Sequence, residues 1–308
     1  MVMAFGTPGR DPEVLRPRDP AEACRMKAAL GAEGVFVAGG TLLRTQWESG
    51  AAKMPGALID LTALPALDGI AEEAGALVIG PLVRLSDLVR SEPVAAGFPL
   101  LAEAVRRIGA PSIRNLATIG GNVASRTGDA LTALLVYDAE LIWRTERRTE
   151  TMRLEDWLAD PGAGEGFRLL AGIRLKRAGA AAGGRAGRIA GGFRKLGRRE
   201  AFIPALVTVA VLGRLTEDGT LAGVRVAAGG GSAVPSRLRA AEAVIEGARV
   251  SPETLVRLGE AVAGEYRPAS DAFAGAEYRR RAAANLIAAE WFTLCAPDRK
   301  EGEHDPDP

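Results

Sequence analysis

Two glycine pairs, each following an apolar run, constrain this chain more than any other feature of its sequence. The first pair lies in VFVAGGTLL, Val35 to Leu43, and the second in LATIGGNVASRTGDAL, Leu116 to Leu131. Glycine lets the backbone approach a ligand closely, and successive N–H groups in such a turn form a concave site for anions. Two such turns predict a ligand with a diphosphate that is held from two sides, although each turn alone is also compatible with an ordinary tight turn.

The two best-known phosphate-binding signatures are absent from the sequence. It contains neither G-x-G-x-x-G nor G-x-x-x-x-G-K-[ST]. Neither a Rossmann fingerprint nor a P-loop is therefore available to explain a nucleotide site.

Cysteine and histidine are too few to form the common metal or nucleophile sites. Cys24 and Cys295 are the only thiols, and His304, in the acidic C-terminal segment, is the only histidine. This inventory excludes a four-thiolate iron–sulfur cluster, a Ser/His/Asp or Cys/His centre and a multi-histidine zinc site. We predict no catalytic side chain and no metal ligand, so that redox chemistry would come from a bound cofactor.

Charge and hydropathy narrow the class of protein further. With 39 basic and 38 acidic residues the chain has no basic excess for nucleic acid, and Arg279 to Arg281 is expected to be a solvated or subunit-facing helix surface. The longest apolar run, Ala201 to Gly213, is too short to span a membrane and is interrupted by Pro204. Met1 to Leu15 lacks the apolar core of a signal peptide. We predict a soluble, cytoplasmic protein without a nucleic-acid partner.

The mixture of strand and helix signals predicts the α+β class rather than a doubly wound parallel sheet. Residues 1–177 form the expected N-terminal domain, with lobes at about 1–55 and 56–177. Residues 178–192 are expected to be a linker, because twelve of these fifteen residues are Ala or Gly.

The C-terminal domain, residues 193–296, is expected to contain a three-stranded antiparallel sheet with helices on one face. Phe193 to Arg214 and Leu221 to Ala228 have strand character, and Asp218-Gly219 is a hairpin-turn pair. Helices are predicted at Ser236–Glu246, Pro252–Gly264 and Ala276–Thr293. The charged, proline-containing segment 297–308 is expected to be disordered.

The order of several motifs resembles the FAD-binding medium subunit of the molybdenum hydroxylases, of the xanthine dehydrogenase and aerobic carbon monoxide dehydrogenase type. AGGTLL precedes ATIGGN by about eighty residues, and three further segments fit in order: FRKLGRREAF (Phe193–Phe202), GGGSAVPSRLRAAEAVIEG (Gly229–Gly247) and EYRRRAAANLI (Glu277–Ile287). The resemblance covers roughly residues 10 to 295. It implies a two-lobed FAD-binding domain of the PCMH type, followed by a small C-terminal domain of the CO-dehydrogenase flavoprotein type.

The resemblance also implies which residues hold FAD. The backbone N–H groups of the four loop glycines would face phosphate oxygens, and Thr41, Thr118 and Asn122 would donate from their side chains. The implied cofactor-binding set is Phe36, Val37, Ala38, Gly39, Gly40, Thr41, Leu42, Leu43, Ile108, Thr118, Ile119, Gly120, Gly121, Asn122, Asp129, Leu170, Phe193, Arg194 and Lys195.

Some members of that set have a second interpretation. Asp129 matches the acid near the sugar or adenosine portion of the flavin, and it is also a candidate helix N-cap. Ile108 and Leu170 fall where apolar residues line the cofactor, but either can be an ordinary core residue. Phe193 to Lys195 match the segment that approaches the isoalloxazine, where an aromatic face could stack on the ring and a cation could stabilise the reduced flavin. The alternative is a strand end with solvated charges.

The sequence departs from the family pattern in two places. Leu42 stands where many relatives have Asp or Ser, which puts the side-chain contacts of the first loop in question. Ile203-Pro204 stands where relatives often have Asp-Ile, and a proline there removes a ladder donor. Because neither glycine loop contains His or Cys, a covalent flavin bond through these residues is not expected.

The function implied by the resemblance is electron transfer in a larger complex. A large subunit would carry the molybdenum–pterin centre, and a small subunit would carry [2Fe–2S] clusters. This chain would pass electrons through non-covalent FAD to NAD, oxygen or another acceptor. Two alternatives remain open: a free-standing flavin reductase or oxidase of the same fold, and a non-catalytic nucleotide-binding assembly protein. The organic substrate and the stoichiometry of the complex are not encoded in this sequence.

Overall fold

The computed structural model describes residues 11–160, 162, 167–177, 187–197, 205–231 and 233–296. The described residues form an N-terminal domain of two lobes and a C-terminal domain. Most of the predicted linker, the Ile203-Pro204 step and the predicted disordered segment 297–308 lie outside them.

The first lobe is a small parallel sheet with two helices. Its elements are β1 (Glu13–Leu15), α1 (Pro20–Leu30), β2 (Gly34–Val37), α2 (Thr41–Glu48) and β3 (Ala57–Asp60). Helix α1 begins directly after Asp19, whose carboxylate accepts the Glu22 N–H at 2.8 Å.

The order of strands in this lobe is β1-β3-β2, with both pairs parallel. The predicted lobe boundary near residue 55 is therefore wrong, because β3 is the central strand of the first sheet. Parallel neighbours need a crossover, and α2 supplies it between β2 and β3.

The second lobe is a five-stranded antiparallel sheet packed against short helices. Its strands are β4 (Ile70–Glu73), β5 (Ala76–Ile79), β6 (Glu140–Arg144), β7 (Thr149–Arg153) and β8 (Leu169–Lys176), in the order β4-β5-β8-β6-β7. Its helices are α3 (Leu85–Arg90), α4 (Glu92–Gly97), α5 (Pro99–Arg106), α6 (Pro111–Arg114), α7 (Ile119–Ala124), α8 (Leu131–Val136) and α9 (Leu154–Ala159).

The C-terminal domain is an antiparallel sheet followed by three helices. Its elements are β9 (Gly187–Leu196), β10 (Val207–Thr216), β11 (Leu221–Gly230), β12 (Ala233–Arg237), α10 (Arg239–Ile245), α11 (Pro252–Glu265) and α12 (Ala276–Cys295). The sheet order is β12-β11-β10-β9, so it has four strands where the sequence predicted three.

Two details of this sheet escaped prediction for physical reasons. Strand β12 contains Pro235, which removes a backbone donor and argues against a strand, but an edge position tolerates it. Strand β9 begins at Gly187, inside the segment predicted as linker, because its partner β10 extends the ladder to pair Thr216 with that glycine.

The two domains share one hydrophobic core around helices α5 and α8. Along β10, Ala210 and Leu212 face this shared core, whereas Val209 and Val211 face the C-terminal helices. The C-terminal sheet is therefore covered on both faces, by the second lobe and by α10 to α12. All six residues of α8 are at most 2% exposed, as expected for a helix that is almost entirely apolar.

No helix in the described part of the chain combines the length and the apolar character that a bilayer crossing requires.

Candidate cofactor-binding site

The first glycine turn ends β2 and begins helix α2. Gly40 is the N-cap residue and has a left-handed φ of +65°, which a glycine adopts without strain. No side chain caps this helix, and no described residue accepts a hydrogen bond from the N–H groups of Thr41, Leu42 or Leu43. A helix start with free N–H groups carries partial positive charge and is a natural anion site.

The second glycine turn is also a helix start, but its donors are already used. The Thr118 hydroxyl caps α7 by accepting the Gly121 N–H at 3.1 Å, and the Gly120 N–H donates to the Pro81 carbonyl at 2.9 Å. The prediction that these two N–H groups face phosphate oxygens is therefore wrong. In this loop, the fold uses the predicted phosphate donors for its own local structure.

The two glycine turns lie in direct contact with each other. A Cβ placed on Gly39 would lie 1.9 Å from the Leu116 carbonyl oxygen, so only glycine allows the turns to meet. A Cβ on Gly120 would lie 2.5 Å from Pro81, which makes that glycine a packing requirement as well. Gly121 differs, because it is exposed and a Cβ there would meet only the Thr118 hydroxyl at 3.4 Å.

Asn122 lies at the other end of the second turn and remains able to donate. Its side-chain oxygen accepts the Ala130 N–H at 3.3 Å, and the chain returns so closely that a Cβ on Gly128 would lie 2.3 Å from the Asn122 carbonyl. Among the described residues, none accepts a hydrogen bond from the Asn122 amide nitrogen. This half-buried amide is thus oriented by the loop and free at its donor end.

Asp129 and Lys195 form an ion pair between the two domains. The Lys195 ammonium lies 2.7 Å from the Asp129 carboxylate and donates at 2.9 Å to the Arg107 carbonyl, next to Ile108. Burial raises the pKa of the Asp129 carboxyl, and the Lys195 charge opposes part of that rise. Asp129 is not the predicted helix cap, since α8 begins after Ala130 without a side-chain cap.

Strand alternation separates the three candidates on β9. Phe193 points into the shared core and is 1% exposed, so its ring has no free face for stacking and that prediction is wrong. Arg194 points to the other side of the sheet, where it pairs with Glu290 of α12. Lys195 returns to the side of Phe193 and is the one of the three that binds Asp129 and the Arg107 carbonyl.

The other apolar candidates divide between the core and the site. Leu170 is 7% exposed and belongs to the shared core. Ile108 is only partly buried against that core. Leu42 is 46% exposed at the start of α2, where its backbone N–H stays available.

The structure thus brings together the first turn, the second turn, Ile108, Asp129 and Lys195. It also uses groups that sequence reasoning missed: the carbonyls of Pro81, Arg107 and Leu116. Backbone carbonyls carry no side-chain signature, so no sequence signal could have identified them.

These groups fit FAD. Free N–H groups at the start of α2, an open approach at Gly121 and the Asn122 amide match a diphosphate, and a half-buried apolar residue beside a fixed ammonium matches a flavin ring.

Comparison with known proteins agrees with this geometry. Residues 8–175 match the family described as FAD binding domain in molybdopterin dehydrogenase, and residues 192–292 match the CO dehydrogenase flavoprotein C-terminal domain.

Two relatives illustrate the sequence similarity. The nicotine 6-hydroxylase medium subunit of Paenarthrobacter nicotinovorans is 30% identical over 241 residues, which are 76% of this chain and 80% of that subunit. The carbon monoxide dehydrogenase medium chain of Hydrogenophaga pseudoflava is 39% identical over 112 residues, which are 36% of this chain and 39% of that one.

The fold is also similar to that of a chain in a solved structure. A carbon monoxide dehydrogenase from Hydrogenophaga pseudoflava, which lacks the Mo-pyranopterin moiety of the molybdenum cofactor, contains a chain with a TM-score of 0.83 and 26% identity. The match covers 94% of this chain and 100% of that one.

Proposed function

The chain belongs to the family of FAD-binding subunits of the molybdopterin dehydrogenases, and on that premise we propose that it transfers electrons within a molybdenum hydroxylase complex. In this proposal it receives electrons from [2Fe–2S] clusters of a small partner subunit and delivers them to NAD or another acceptor. The organic substrate reacts in a large partner subunit that holds the molybdenum–pterin centre. Relatives named as medium subunits of carbon monoxide dehydrogenase and nicotine 6-hydroxylase support this assignment.

The observation that carries the proposal is the contact between the two glycine turns. The turns meet at Gly39 and the Leu116 carbonyl, so the free N–H groups that begin α2 follow one side of this contact and the exposed Gly121 follows the other. The α2 N–H groups and the Asn122 amide would hold the diphosphate, while Gly121 leaves room for it to approach. In this proposal the first turn supplies the backbone donors, and the second turn supplies shape and one side-chain donor.

Lys195 is the residue that we assign to the flavin ring. Bound FAD would supply the redox chemistry of the site. The Asp129 carboxylate and the Arg107 carbonyl hold the ammonium in place, so it meets a ligand without first having to be ordered. A fixed cation against an electron-rich ring edge favours the reduced, more negative state.

The experiment that tests the proposed function begins with the visible spectrum of the purified chain and the identity of anything released on denaturation. We expect FAD at near one per chain. Purification from the native host should then recover molybdenum and iron in the same complex as this flavin. A chain that neither carries nor binds added FAD would contradict the cofactor assignment. A lone flavoprotein that oxidises NADH to completion without partners would favour the free-standing reductase instead.

A further inference from the structure

Arg126 occupies a strained position in the loop that follows α7. Its φ is +58°, in the left-handed region that residues other than glycine rarely adopt. A residue remains in such a conformation only when its surroundings hold it there. At Arg126 the holding contacts come from its own side chain.

The Arg126 guanidinium reaches across to the end of helix α9 and binds three carbonyl oxygens. It donates to Trp157 O at 3.1 Å, to Leu158 O at 2.8 Å and to Asp160 O at 3.0 Å. It also lies over the Trp157 ring, 4.6 Å from the centroid. The last carbonyls of a helix lack partners within it, so this cation satisfies groups that the fold would otherwise leave unpaired.

The loop around Arg126 connects two residues of the proposed site, Asn122 in α7 and Asp129 before α8. Asn122 precedes it, tied by the Ser125 hydroxyl, which donates to the Asn122 carbonyl at 2.7 Å. Asp129 follows it and holds Lys195 at 2.7 Å. A displacement at Arg126 therefore moves the Asn122 amide and the Lys195 ammonium together.

Helix α9, whose end binds Arg126, is itself held to the C-terminal domain. Glu155 of α9 accepts a hydrogen bond at 3.1 Å from Arg239, which belongs to α10. The connection therefore runs from α10 through α9 and Arg126 into the loop, and returns to the C-terminal sheet through Lys195.

We propose that Arg126 is a positioning residue for FAD, fixing the loop that presents Asn122 and Asp129 while making no contact with the cofactor. This inference rests on the proposed function, because it takes the two residues as part of the FAD site. Its chemistry requires a planar fork of donors, which Lys does not provide.

The test uses two variants of the full chain, Arg126→Gly and Arg126→Lys. Glycine removes the side chain and adopts the positive φ without strain, so the loop can keep its backbone conformation. Lysine keeps the charge, but its single ammonium nitrogen does not reproduce the planar fork whose two terminal nitrogens reach these three carbonyls. For both variants we expect the Kd for FAD, from fluorescence titration of the apo chain, to rise by at least about tenfold. Added guanidinium ion at low millimolar concentration should partly restore the affinity of Arg126→Gly and leave that of the wild type unchanged.

The matched control is Arg188→Lys. Arg188 also donates to a carbonyl, that of Leu294, but it lies seven residues from Lys195 on β9, about 23 Å along the strand. We expect its Kd for FAD to equal that of the wild type.

The outcomes separate the two proposals. Arg126 variants that bind FAD with wild-type Kd, whatever their thermal stability, would overturn the positioning role. Weakened binding that added guanidinium does not restore, in step with a lower unfolding temperature, would also overturn it, because that pattern is loss of structure. A wild-type chain that binds no FAD would contradict the proposed function itself, and with it this inference.

Discussion

Two aspartates flank helix α8, and each reaches a cation of the C-terminal sheet. Asp138, after the helix, binds Arg237 at 2.6 Å and Arg225 at 2.7 Å, one with each carboxylate oxygen. Asp129, before the helix, binds Lys195 at 2.7 Å through one oxygen. Both aspartates join the same two domains. They differ in how many of their hydrogen-bonding groups remain unused.

The Asp138 cluster is closed. Arg237 is almost fully buried and also donates to Glu242 and to the Leu135 carbonyl. In the Asp129 pair, no described residue donates a hydrogen bond to the second carboxylate oxygen, and the Lys195 ammonium makes two bonds with three protons. The Asp138 cluster is therefore complete as a structural clamp, whereas the Asp129 pair retains hydrogen-bonding capacity for a ligand.

Removing the buried arginine of the closed cluster should produce the largest loss of stability. Arg237→Met removes the partner that Asp138 and Glu242 share. Asp138 keeps Arg225 and Glu242 keeps Arg239, but the loss of three hydrogen bonds from a buried cation still costs about 3–5 kcal/mol. Urea denaturation should show this as a lower midpoint with an unchanged slope. Without urea, the folded variant should bind FAD with the wild-type Kd. A large rise in Kd would contradict the claim that the Asp138 cluster takes no part in FAD binding.

Removing the cation of the open pair should cost less stability and change the flavin. In Lys195→Met the Asp129 carboxyl can take up a proton, because burial already raises its pKa, so we expect a loss of about 1–3 kcal/mol. The two-electron midpoint potential of bound FAD should fall by on the order of 30–60 mV, since the fixed cation is gone. Spectroelectrochemistry measures this shift, and Arg194→Met, on the opposite face of β9, is its control. An equal potential in Lys195→Met and wild type would remove Lys195 from the site.

The smallest expected effect is the contribution of Asp129 titration to the pH dependence of stability. Its pKa is raised above 3.8 in the folded chain, so the folded state binds this proton more tightly than the unfolded state. Its favourable contribution is therefore present at low pH and is lost as pH rises from 3.8 through the raised pKa. We expect the wild type to gain stability relative to Asp129→Asn as pH falls from neutral to about pH 4, by less than about 1 kcal/mol. A wild type that loses stability relative to Asp129→Asn on acidification would contradict this assignment of the pKa shift.

The sequence was sufficient to identify the residues of both glycine turns, the α+β class and several helix starts. It could not reveal that Gly120 and Gly121 donate within the protein, because that depends on Pro81 and Thr118 being brought beside them. Their role could be assigned only after the tertiary contacts were known.

The segment Phe193 to Lys195 shows the same limit. Its period of two predicts that the first and third side chains share a face. It does not predict that helices cover both faces of the sheet, which is why Phe193 became core and only Lys195 remained beside Asp129. Strand β12 and the central position of β3 were missed for a similar reason, since edge and centre are properties of the assembled sheet.

The most direct test of the central claim is the FAD affinity of Gly121→Ala beside that of Gly264→Ala. Both glycines lie within helices, and an added Cβ meets only an ordinary contact at Gly121 and open space at Gly264. Each apo variant should therefore be as stable as the wild type, or more stable by about 0.5–1 kcal/mol. If the FAD diphosphate approaches through the space that Gly121 leaves by lacking a Cβ, only Gly121→Ala should raise the Kd for FAD, by at least about tenfold, or 1.4 kcal/mol. Wild-type affinity in both variants would contradict the placement of FAD at the two glycine turns.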